Sequence, residues 1–321
     1  MITRKPRLTV GLPVYNAERY LAETVESLLS QTYRDFELLI ADNASSDRTE
    51  DICRGLCRAD PRVRYIRHVK NLGAALNHNF VVHEARGELF RWAAHDDLVR
   101  PSAFETCVAA LDETGSDTVL AFSQTEIVDE YGAHVRYLRG QGSIDAEQPS
   151  KRLRALLKHP AGDPRGGFVT PFYGVARIDP LRATRLHQLY FGADRVLIIE
   201  LALRGKLVEI GEPLFALRQH PEQSGGWSTS TARQLDEWNY PGFRGFPMPQ
   251  SRLIAGYFGA VLQAPLESDE RFRCLAVLSR CLLRDRTMRV MLGEMRLAAK
   301  AALSGALQRS PRNGTAGEWR A

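Results

Sequence analysis

Short apolar runs alternate with helix-like segments through the first 125 residues, and this alternation limits the fold more than any other feature of the chain. Apolar residues of residues 16–33, such as Leu21, Val25 and Leu28, fall on one helical face. Strands joined by such helices run parallel, because the helix returns the chain to the same edge of the sheet. The sequence therefore predicts an α/β fold with a mostly parallel sheet between helices. The predicted strands are 7–12, 36–42, 63–68, 88–94 and 117–123, and the predicted helices are 16–33, 46–58, 73–86 and 102–114.

The second half of the chain has a less regular pattern. Residues 225–230, GGWSTS, have the composition of a flexible exposed stretch, and residues 239–250 are rich in Pro and Gly and predict a linker. A helical C-terminal part follows that linker. The other predicted elements are a strand at 172–178, a helix at 193–205 and two short strands at 207–210 and 214–220.

Positive charge is concentrated near the C-terminus. The 321-residue chain has a formal net charge of +5, but residues 271–312 hold ten Arg or Lys against two acids, so the remainder carries −3. An acidic main body argues against a nucleic-acid-binding protein, the class that the overall charge alone would favour. Spacings of seven and four residues align two basic sets on helical faces: Arg273, Arg280 and Arg284, then Arg289, Arg296 and Lys300.

These basic helices have three interpretations. Apolar residues fill their other faces, which is typical of helices that lie on anionic membranes, and we expect peripheral membrane contact through residues 270–312. Packing against the catalytic domain, or against a second subunit in a homodimer, would also explain the pattern. No uncharged apolar stretch reaches about 18 residues, and the first residues lack the apolar region of a signal peptide, so we expect a cytoplasmic protein.

Polar residues follow three of the predicted strands at the points where the strands end. Asp42 ends the second strand, and His95, Asp96 and Asp97 follow the fourth. Ligands of parallel sheets bind at this edge. Two adjacent carboxylates repel each other unless a cation lies between them, so the pair indicates a divalent metal bound through oxygen. The alternative is a solvated turn that caps the next helix.

Several common sites are missing from the sequence. The first strand is followed by GLPVYN, where a dinucleotide-binding fold would have GxGxxG. The chain also has no Walker lysine motif, no HExxH and no GxSxG. NAD-dependent, P-loop, zinc-protease and serine-hydrolase chemistry are therefore unsupported.

Two long segments resemble glycosyltransferase family 2. They are PRLTVGLPVYNAERYLAETVESLLSQTYRDFELLIADNASSDRT and NLGAALNHNFVVHEARGELFRWAAHDDL. The resemblance is strong over residues 7–125, weaker over 172–224 and absent beyond about 235. It implies a GT-A fold, with a Rossmann-like nucleotide-binding half and an acceptor half, a nucleotide-sugar donor, and inverting transfer that depends on Mg²⁺ or Mn²⁺.

The resemblance assigns the donor side residue by residue. Tyr15 would lie against the base, and Asp42 would accept a hydrogen bond from a pyrimidine imide, although Asp42 also suits a plain turn. Asp47 fits a helix cap better than a ligand contact. Asp96 aligns with the metal-binding acid. The full set of predicted donor-binding residues is Pro13, Tyr15, Asn16, Asp42, Asn71, Gly73, His78, His95, Asp96, Asp97 and Arg218.

The chain departs from the family pattern at two positions. Ala94 stands where the family's D-x-D signature has its first Asp, which leaves the ribose contact to His95 or Asp97. His78 stands where the family usually has a basic residue, so its contact with phosphate or sugar is also open.

The second half supplies the acceptor side in this resemblance. Asp194 matches the catalytic base, a role compatible with capping the helix that follows. Arg218 and His220 would face the diphosphate or the metal, with Asp96, Asp97 and His220 as the metal ligands, although a lone His is often structural. Residues 225–230 would close over the donor, with Trp227 as an acceptor platform or merely an exposed aromatic.

The resemblance therefore implies a hexosyl or deoxyhexosyl transferase. A UDP- or dTDP-sugar would be the donor and a hydroxyl of a glycan or lipid-linked molecule the acceptor, in the synthesis of a cell-surface polysaccharide or glycolipid. The predicted catalytic domain covers residues 1–235, with its two halves meeting at residue 125, and a linker with a basic helical region covers 236–321. The alternative is a catalytically silent protein that binds nucleotide sugars on the same fold.

Overall fold

The structure of the chain is a computed structural model. It describes residues 5–138, 142–158, 169–190, 192–221, 246, 248–284 and 287–303. The segment predicted to close over the donor, residues 225–230 with Trp227, lies outside the described residues. Most of the predicted linker does as well.

One mixed sheet of nine strands forms the centre of the described part of the molecule. Its order is β3-β2-β1-β4-β8-β6-β9-β5, with β7 paired to β6. Strands β1 to β4 are mutually parallel, β6 and β9 are parallel to each other, and β8 lies antiparallel between β4 and β6. The strands are β1 Leu8–Val14, β2 Phe36–Asp42, β3 Val63–Arg67, β4 Leu89–Trp92, β5 Leu98–Val99, β6 Thr118–Val128, β7 His134–Tyr137, β8 Val175–Arg177 and β9 Lys206–Arg218.

Helices cover both faces of this sheet. Their buried residues recur at helical spacing, as in α1, where Leu21, Val25 and Leu28 face the core. The described helices are α1 Leu21–Leu29, α2 Thr49–Ala59, α3 Ala74–His83, α4 Ala103–Glu113, α5 Pro149–Leu156, α6 Val169–Phe172, α7 Ile178–Arg182, α8 Ala193–Arg204, α9 Pro249–Gln263, α10 Ser268–Arg284 and α11 Thr287–Leu303. The predicted α/β class and the helical C-terminal part are confirmed.

The predicted strand at 172–178 is wrong for most of its length. Phe172 ends α6, only Val175–Arg177 form β8, and α7 begins at Ile178. An apolar run of this length does not distinguish a strand from a buried helical turn. Gly174 makes the turn between them, where an added Cβ would lie 2.6 Å from the Ala121 carbonyl oxygen.

The predicted break between residues 210 and 214 is also wrong. β9 is one continuous strand, and the ladder between β6 and β9 absorbs Pro213 through shifts of register near Ser123 and Gln124. The first helix begins at Leu21 and not at residue 16, and the sequence pattern did not indicate the short strands β5 and β7.

The C-terminal helices share a hydrophobic core with the sheet. Leu253 and Tyr257 of α9 and Val277 of α10 belong to the same buried cluster as Val196 of α8. A second cluster lies under β1 and β2, against α1 and α4. The predicted boundary at residue 235 stays a prediction. Among the described residues, no helix combines the length and apolar character that crossing a bilayer requires.

Candidate active site

The loops that follow β1 and β2 are tied to each other. The Asn16 main-chain N–H donates to Ser45 Oγ (2.9 Å), and the Ser46 N–H donates to Asn16 Oδ1 (2.9 Å). Pro13 is buried within β1. Tyr15 projects from this framework and is 45% exposed. Asn16 and Pro13 therefore shape the loops, and Tyr15 is the predicted nucleoside residue that offers an open ring.

Asp42 lies at the carboxyl end of β2 and is fully buried. The Tyr65 hydroxyl donates to Asp42 Oδ2 (2.7 Å), the Ser45 N–H donates to Oδ1 (2.9 Å), and Arg67 Nε lies 3.5 Å from Oδ2. Burial, with the hydrogen bond to Asp42, raises the pKa of Tyr65, so its hydroxyl stays a donor. A pyrimidine imide that reached Asp42 would share the carboxylate with Tyr65.

Asp47 supports the start of α2. Its Oδ1 accepts from the Thr49 N–H (3.0 Å), and its Oδ2 accepts from the Glu18 N–H (3.1 Å). These bonds match the predicted capping role, although α2 begins at Thr49 rather than at residue 46. Glu50, three residues after Asp47, pairs with Arg54 and Arg67.

Asn71 and Gly73 form the entry to α3. Asn71 Oδ1 accepts from the Asn43 side-chain amide (2.9 Å) and from the Gly73 N–H (2.8 Å). Gly73 has φ 87°, a conformation that side chains with a Cβ rarely adopt, and it precedes the first residue of the helix. The contact between Asn43 and Asn71 joins the β2 edge to α3, so both predicted residues hold the framework of the rim.

His78 is a neutral side chain beside a second histidine. Its Nδ1 donates to the Ala74 carbonyl oxygen (2.8 Å), and its ring lies 5.3 Å from that of His187 and 6.1 Å from that of Phe172. Burial, together with His187, lowers the pKa of His78 to about 3. At neutral pH His78 therefore offers a hydrogen bond but no positive charge to a diphosphate.

Asp96 lies next to His220 in the loop after β4. The distance from Asp96 Oδ2 to His220 Nε2 is 3.0 Å, and both side chains are largely buried. His95 lies between Asp96 and Ala94, and its carbonyl oxygen accepts from Thr24 Oγ1 (2.9 Å). Helix α1 is thereby bonded to the loop that carries the two carboxylates.

The two adjacent carboxylates point in different directions. Asp97 is buried, and its Oδ1 accepts from the main-chain N–H of Arg218 (2.9 Å), while its own carbonyl accepts from Thr24 Oγ1 (3.0 Å). Burial, and then the charge of Asp96, raises the pKa of Asp97. Asp97 therefore connects the loop after β4 to β9, whereas the side chain of Asp96 contacts His220.

Arg218 lies inside the protein, with its side chain 1% exposed. Its Nε donates to the Asp96 carbonyl (2.8 Å), one terminal nitrogen to the Glu130 carbonyl (2.8 Å) and the other to Glu23 Oε2 (2.8 Å). The guanidinium also lies 4.8 Å from the Tyr20 ring centroid. The structure thus places this predicted donor-binding residue behind Asp96, where it positions the loop.

Asp194 lies in the first turn of α8. Gly192, with φ 85°, turns the chain into the helix. Burial raises the pKa of Asp194, and the charge of Arg195, the Arg195 N–H and the Asp194 N–H act against that shift. His78 is close enough to act on Asp194 as well. The predicted base and the α3 histidine are therefore near each other, and we use the word cleft for the predicted site between the loop after β4 and the start of α8.

Tyr173 connects the two sides of this cleft. Burial and the charges of Asp97, Asp96 and Asp194 all raise the pKa of its hydroxyl. These carboxylates come from the loop after β4 and from α8, which are about 100 residues apart in the chain. Each of these carboxylates is therefore near enough to the Tyr173 hydroxyl to act on its charge.

Comparison with known families decides the classification. The sequence profile of Glycosyl transferase family 2 matches residues 9–173, which is half of the chain. Glycosyltransferase GlyG of Streptococcus pneumoniae is 34% identical over 221 residues, covering 66% of this chain and 70% of GlyG. The chain belongs to glycosyltransferase family 2.

Other relatives match a smaller share of this chain. An uncharacterized glycosyltransferase of Rickettsia felis is 29% identical over 166 residues, covering 49% of this chain and 27% of that protein. The chain spans between about a quarter and a half of the length of the first curated relatives that it matches.

Solved structures show that the fold is that of GT-A glycosyltransferases. S. aureus TarS, residues 1–349, superposes with a TM-score of 0.62 at 17% identity and covers 88% of this chain and 73% of the TarS chain. The mannosyltransferase PcManGT of Pyrobaculum calidifontis superposes with a TM-score of 0.56 at 15% identity and covers 96% of this chain and 77% of its own. At these identities the likeness concerns the fold alone.

Two of the three predicted metal ligands lie next to each other in this family 2 protein. Asp96 Oδ2 and His220 Nε2 converge to 3.0 Å, and carboxylate oxygen with imidazole nitrogen suits Mn²⁺ or Mg²⁺ when donor oxygens complete the shell. Asp97 faces Arg218 instead. No group of three or more His, Cys, Asp or Glu side chains that could hold a metal occurs in the described part of the chain.

The sequence interpretation did not include Tyr173, Thr24 or Arg91. Arg91 lies in β4, 1% exposed, and its Nε and one terminal nitrogen are buried without a hydrogen-bond partner in the structure. It is close enough to Asp97 to lower the pKa of that carboxyl. A charge within the apolar run GELFRWAA was the signal that could have identified Arg91, whereas Tyr173 and Thr24 gave none.

A separate cavity of about 400 Å³ lies at the opposite edge of the sheet. Side chains of both charges line it, and it is near the amino ends of β1, β2 and β4, away from the carboxylates described above. Ligands of parallel sheets bind at the carboxyl ends, so we do not assign the active site to this cavity. Its charged lining consists of Lys5, Glu37, Arg86, Glu88, Asp179 and Arg182.

Proposed function

We propose that this protein transfers a hexose or deoxyhexose from a UDP- or dTDP-linked donor to a hydroxyl of a glycan or lipid-linked acceptor, with inversion, in the synthesis of a cell-surface polysaccharide or glycolipid. The observation that carries the proposal is the polar edge of the sheet, where Asp42 ends β2 and Asp96 lies 3.0 Å from His220 in the loop after β4. Asp194 acts, with Asp96 and Asp97, on the Tyr173 hydroxyl. A metal-binding acid and a general base at one site are what a metal-assisted displacement requires.

The donor side would be formed by the strand ends. Tyr15 offers its ring to the base, and Asp42 offers a fixed acceptor that favours a pyrimidine with an imide N–H. Asp96 and His220 would hold a Mg²⁺ or Mn²⁺ ion, which when bound offsets negative charge on the leaving diphosphate. Arg218 and Thr24 keep the Asp96 loop in place.

Asp194 would act on the acceptor. The acceptor oxygen forms its bond to the anomeric carbon as the bond from that carbon to the diphosphate oxygen breaks, and the hydroxyl proton passes to Asp194. The start of α8 favours the ionised carboxylate, which opposes the effect of burial. His78 and His187 lie beside this position as neutral rings, since burial lowers the pKa of His187 to about 4.

Crystal structures of the structural neighbours with bound ligands support a nucleotide-sugar donor. TarS was crystallised with UDP and with UDP-GlcNAc, and PcManGT with GDP-Man and Mn²⁺. These neighbours include complexes with uridine and with guanosine nucleotides, so our preference for a pyrimidine nucleotide rests on Asp42.

The experiment that tests the proposal is a panel of nucleotides and nucleotide sugars, each with and without Mn²⁺. Thermal unfolding reports binding, because a bound ligand stabilises the folded state, and release of the nucleoside diphosphate reports turnover. We expect stabilisation by UDP- or dTDP-sugars that increases with Mn²⁺, followed by release. Preferential binding of GDP-sugars would contradict the role of Asp42.

The alternative is a silent nucleotide-sugar-binding protein, which Ala94 favours because the first acid of the D-x-D signature is missing. The same panel separates the two functions. Donor binding without any release, in the presence of Mn²⁺ and a range of glycan and lipid-linked acceptors, would support the silent protein.

A further inference from the structure

Helix α11 presents a mixed basic and apolar surface to solvent. We define this surface, the α11 outer face, by six exposed residues. They are Met288, Arg289, Leu292, Met295, Arg296 and Lys300. Met295 is 55% exposed, more than is usual for a side chain that packs in a globular core.

Glu294 fixes which way α11 faces. Its carboxylate accepts from the main-chain N–H groups of Gln250 (3.0 Å) and Ser251 (2.9 Å) and from Ser251 Oγ (2.6 Å), at the start of α9. Met291 and Ala298, one turn to either side, are half-buried on the same side of the helix. The cations are on the opposite side, so α11 attaches to α9 through the single acidic residue that it contains.

The α11 outer face therefore combines positive charge and apolar surface without an acid. Three residue pairs repeat along it, each an apolar residue followed by a cation: Met288–Arg289, Met295–Arg296 and Ala299–Lys300. Apolar side chains at the interfacial depth, with Arg and Lys beside them at the phosphate level, are the arrangement of helices that lie on anionic membranes.

We propose that the α11 outer face binds the surface of an anionic lipid membrane. Charge complementarity favours this occupant over a second copy of the chain. A two-fold contact would place the same surface on both sides of the interface, so Arg289, Arg296 and Lys300 of both copies would be buried there without an acid to pair with. Anionic headgroups instead neutralise all three cations.

The position of the α11 outer face relates membrane binding to the predicted acceptor side. The first turn of α9 bonds to Glu294 of α11. α9 also packs against the start of α8, because Leu253 Cδ1 lies 3.5 Å from the position that a Cβ on Gly192 would occupy. Asp194 follows two residues later. If the proposed function holds, a membrane on α11 would bring lipid-linked acceptors to the acceptor side of the cleft, but the lipid binding itself does not depend on transferase activity.

Co-sedimentation of the full chain with lipid vesicles tests the proposal. We expect binding to vesicles of phosphatidylcholine and phosphatidylserine at low salt, weak binding to phosphatidylcholine alone, and release as salt is raised. The variant Arg289→Gln/Arg296→Gln/Lys300→Gln should bind roughly 100-fold more weakly, since each cation near such a surface contributes about fivefold. Met295→Gln should also weaken binding, which a purely electrostatic contact would not show.

A matched control removes three exposed cations from other surfaces. Arg34→Gln/Arg58→Gln/Arg136→Gln loses the same charge and should keep its vesicle binding. All variants are checked by thermal unfolding, so that a loss of folding is recognised. Failure of the wild type to bind phosphatidylserine vesicles at low salt would overturn the proposal. So would equal weakening in both triple variants, or a dimer in solution that dissociates in Met295→Gln.

Discussion

The two sides of the cleft are built differently. On the donor side, the polar side chains bond to one another or to the main chain, as Asp42 does with Tyr65 and Asp97 with Arg218. On the acceptor side, burial raises the pKa of Asp194, and the groups that most oppose this shift belong to its own helix start.

We infer from this contrast that donor binding and proton transfer depend on different parts of the molecule. A network of satisfied hydrogen bonds fixes geometry, which suits recognition of a rigid nucleotide. A carboxylate with few partners and a raised pKa is suited to accepting a proton. Changes on the two sides should therefore affect different quantities.

The largest expected effect follows Asp194→Asn. The amide does not accept the acceptor's proton, so transfer should fall by roughly 10²–10⁴. Asn caps a helix about as well as Asp, so a capping role alone would leave activity little changed. Release of nucleoside diphosphate with an authentic acceptor measures the effect, and near-normal turnover would remove Asp194 from the mechanism. Because the buried charge is gone, the variant should be at least as stable as the wild type.

Asp96→Ala should abolish the gain in donor affinity that Mn²⁺ provides, since it removes the side chain that meets His220. Asp97→Ala is the comparison. Its carboxylate bonds to the Arg218 N–H, so it should lower stability or ribose contacts more than metal dependence. Calorimetric titration of the donor with and without Mn²⁺ measures donor affinity in both variants. An unchanged Mn²⁺ effect in Asp96→Ala would refute the metal assignment.

Arg218→Gln should destabilise the fold by about 2–4 kcal/mol, because it leaves buried carbonyl groups without donors. Arg19 is a matched control, since its guanidinium contacts the same Tyr20 ring, at 4.9 Å, and pairs with Glu130 while half-exposed. Arg19→Gln should cost about 0–1 kcal/mol. Denaturant unfolding compares them, and similar losses would show that the Arg218 network does not stabilise the loop.

The smallest expected effect is a change in pH dependence. Asp194 must be ionised to act as a base, and its pKa lies above the ordinary value of 3.8, so transfer should fall as pH is lowered through that raised pKa. Donor affinity should not follow the same curve. Rates and affinities across acid pH test this, and an acid limb for transfer that persists in Asp194→Asn would assign it to another group.

Much of the fold could be predicted from the sequence because each element of the first half carries its own periodicity. Strands β1 to β4 and their helices follow from apolar spacing, as with Leu21 and Val25 of α1. β9 was predicted as two strands because Pro213 normally interrupts pairing, and only the shifted ladder with β6 accommodates it. β5 has two residues and β7 is fully exposed, so neither carries a hydrophobic signal.

The site was predictable in position but not in detail. The strand ends placed Asp42 and Asp96 on one edge, whereas the partners that fix them come from distant segments, such as Tyr65 for Asp42 and His220 for Asp96. The inward direction of Arg218 depends on Glu23, 195 residues away in the chain. Such long-range contacts leave no pattern in a single sequence.

Donor affinity of two variants, measured by calorimetry in the presence of Mn²⁺, tests the separation of the two sides most directly. Asp194→Asn should bind the donor within a few-fold of wild type, because its side chain lies on the acceptor side. Asp96→Ala should bind as wild type does without metal. Loss of donor affinity in Asp194→Asn as large as that in Asp96→Ala would contradict the account.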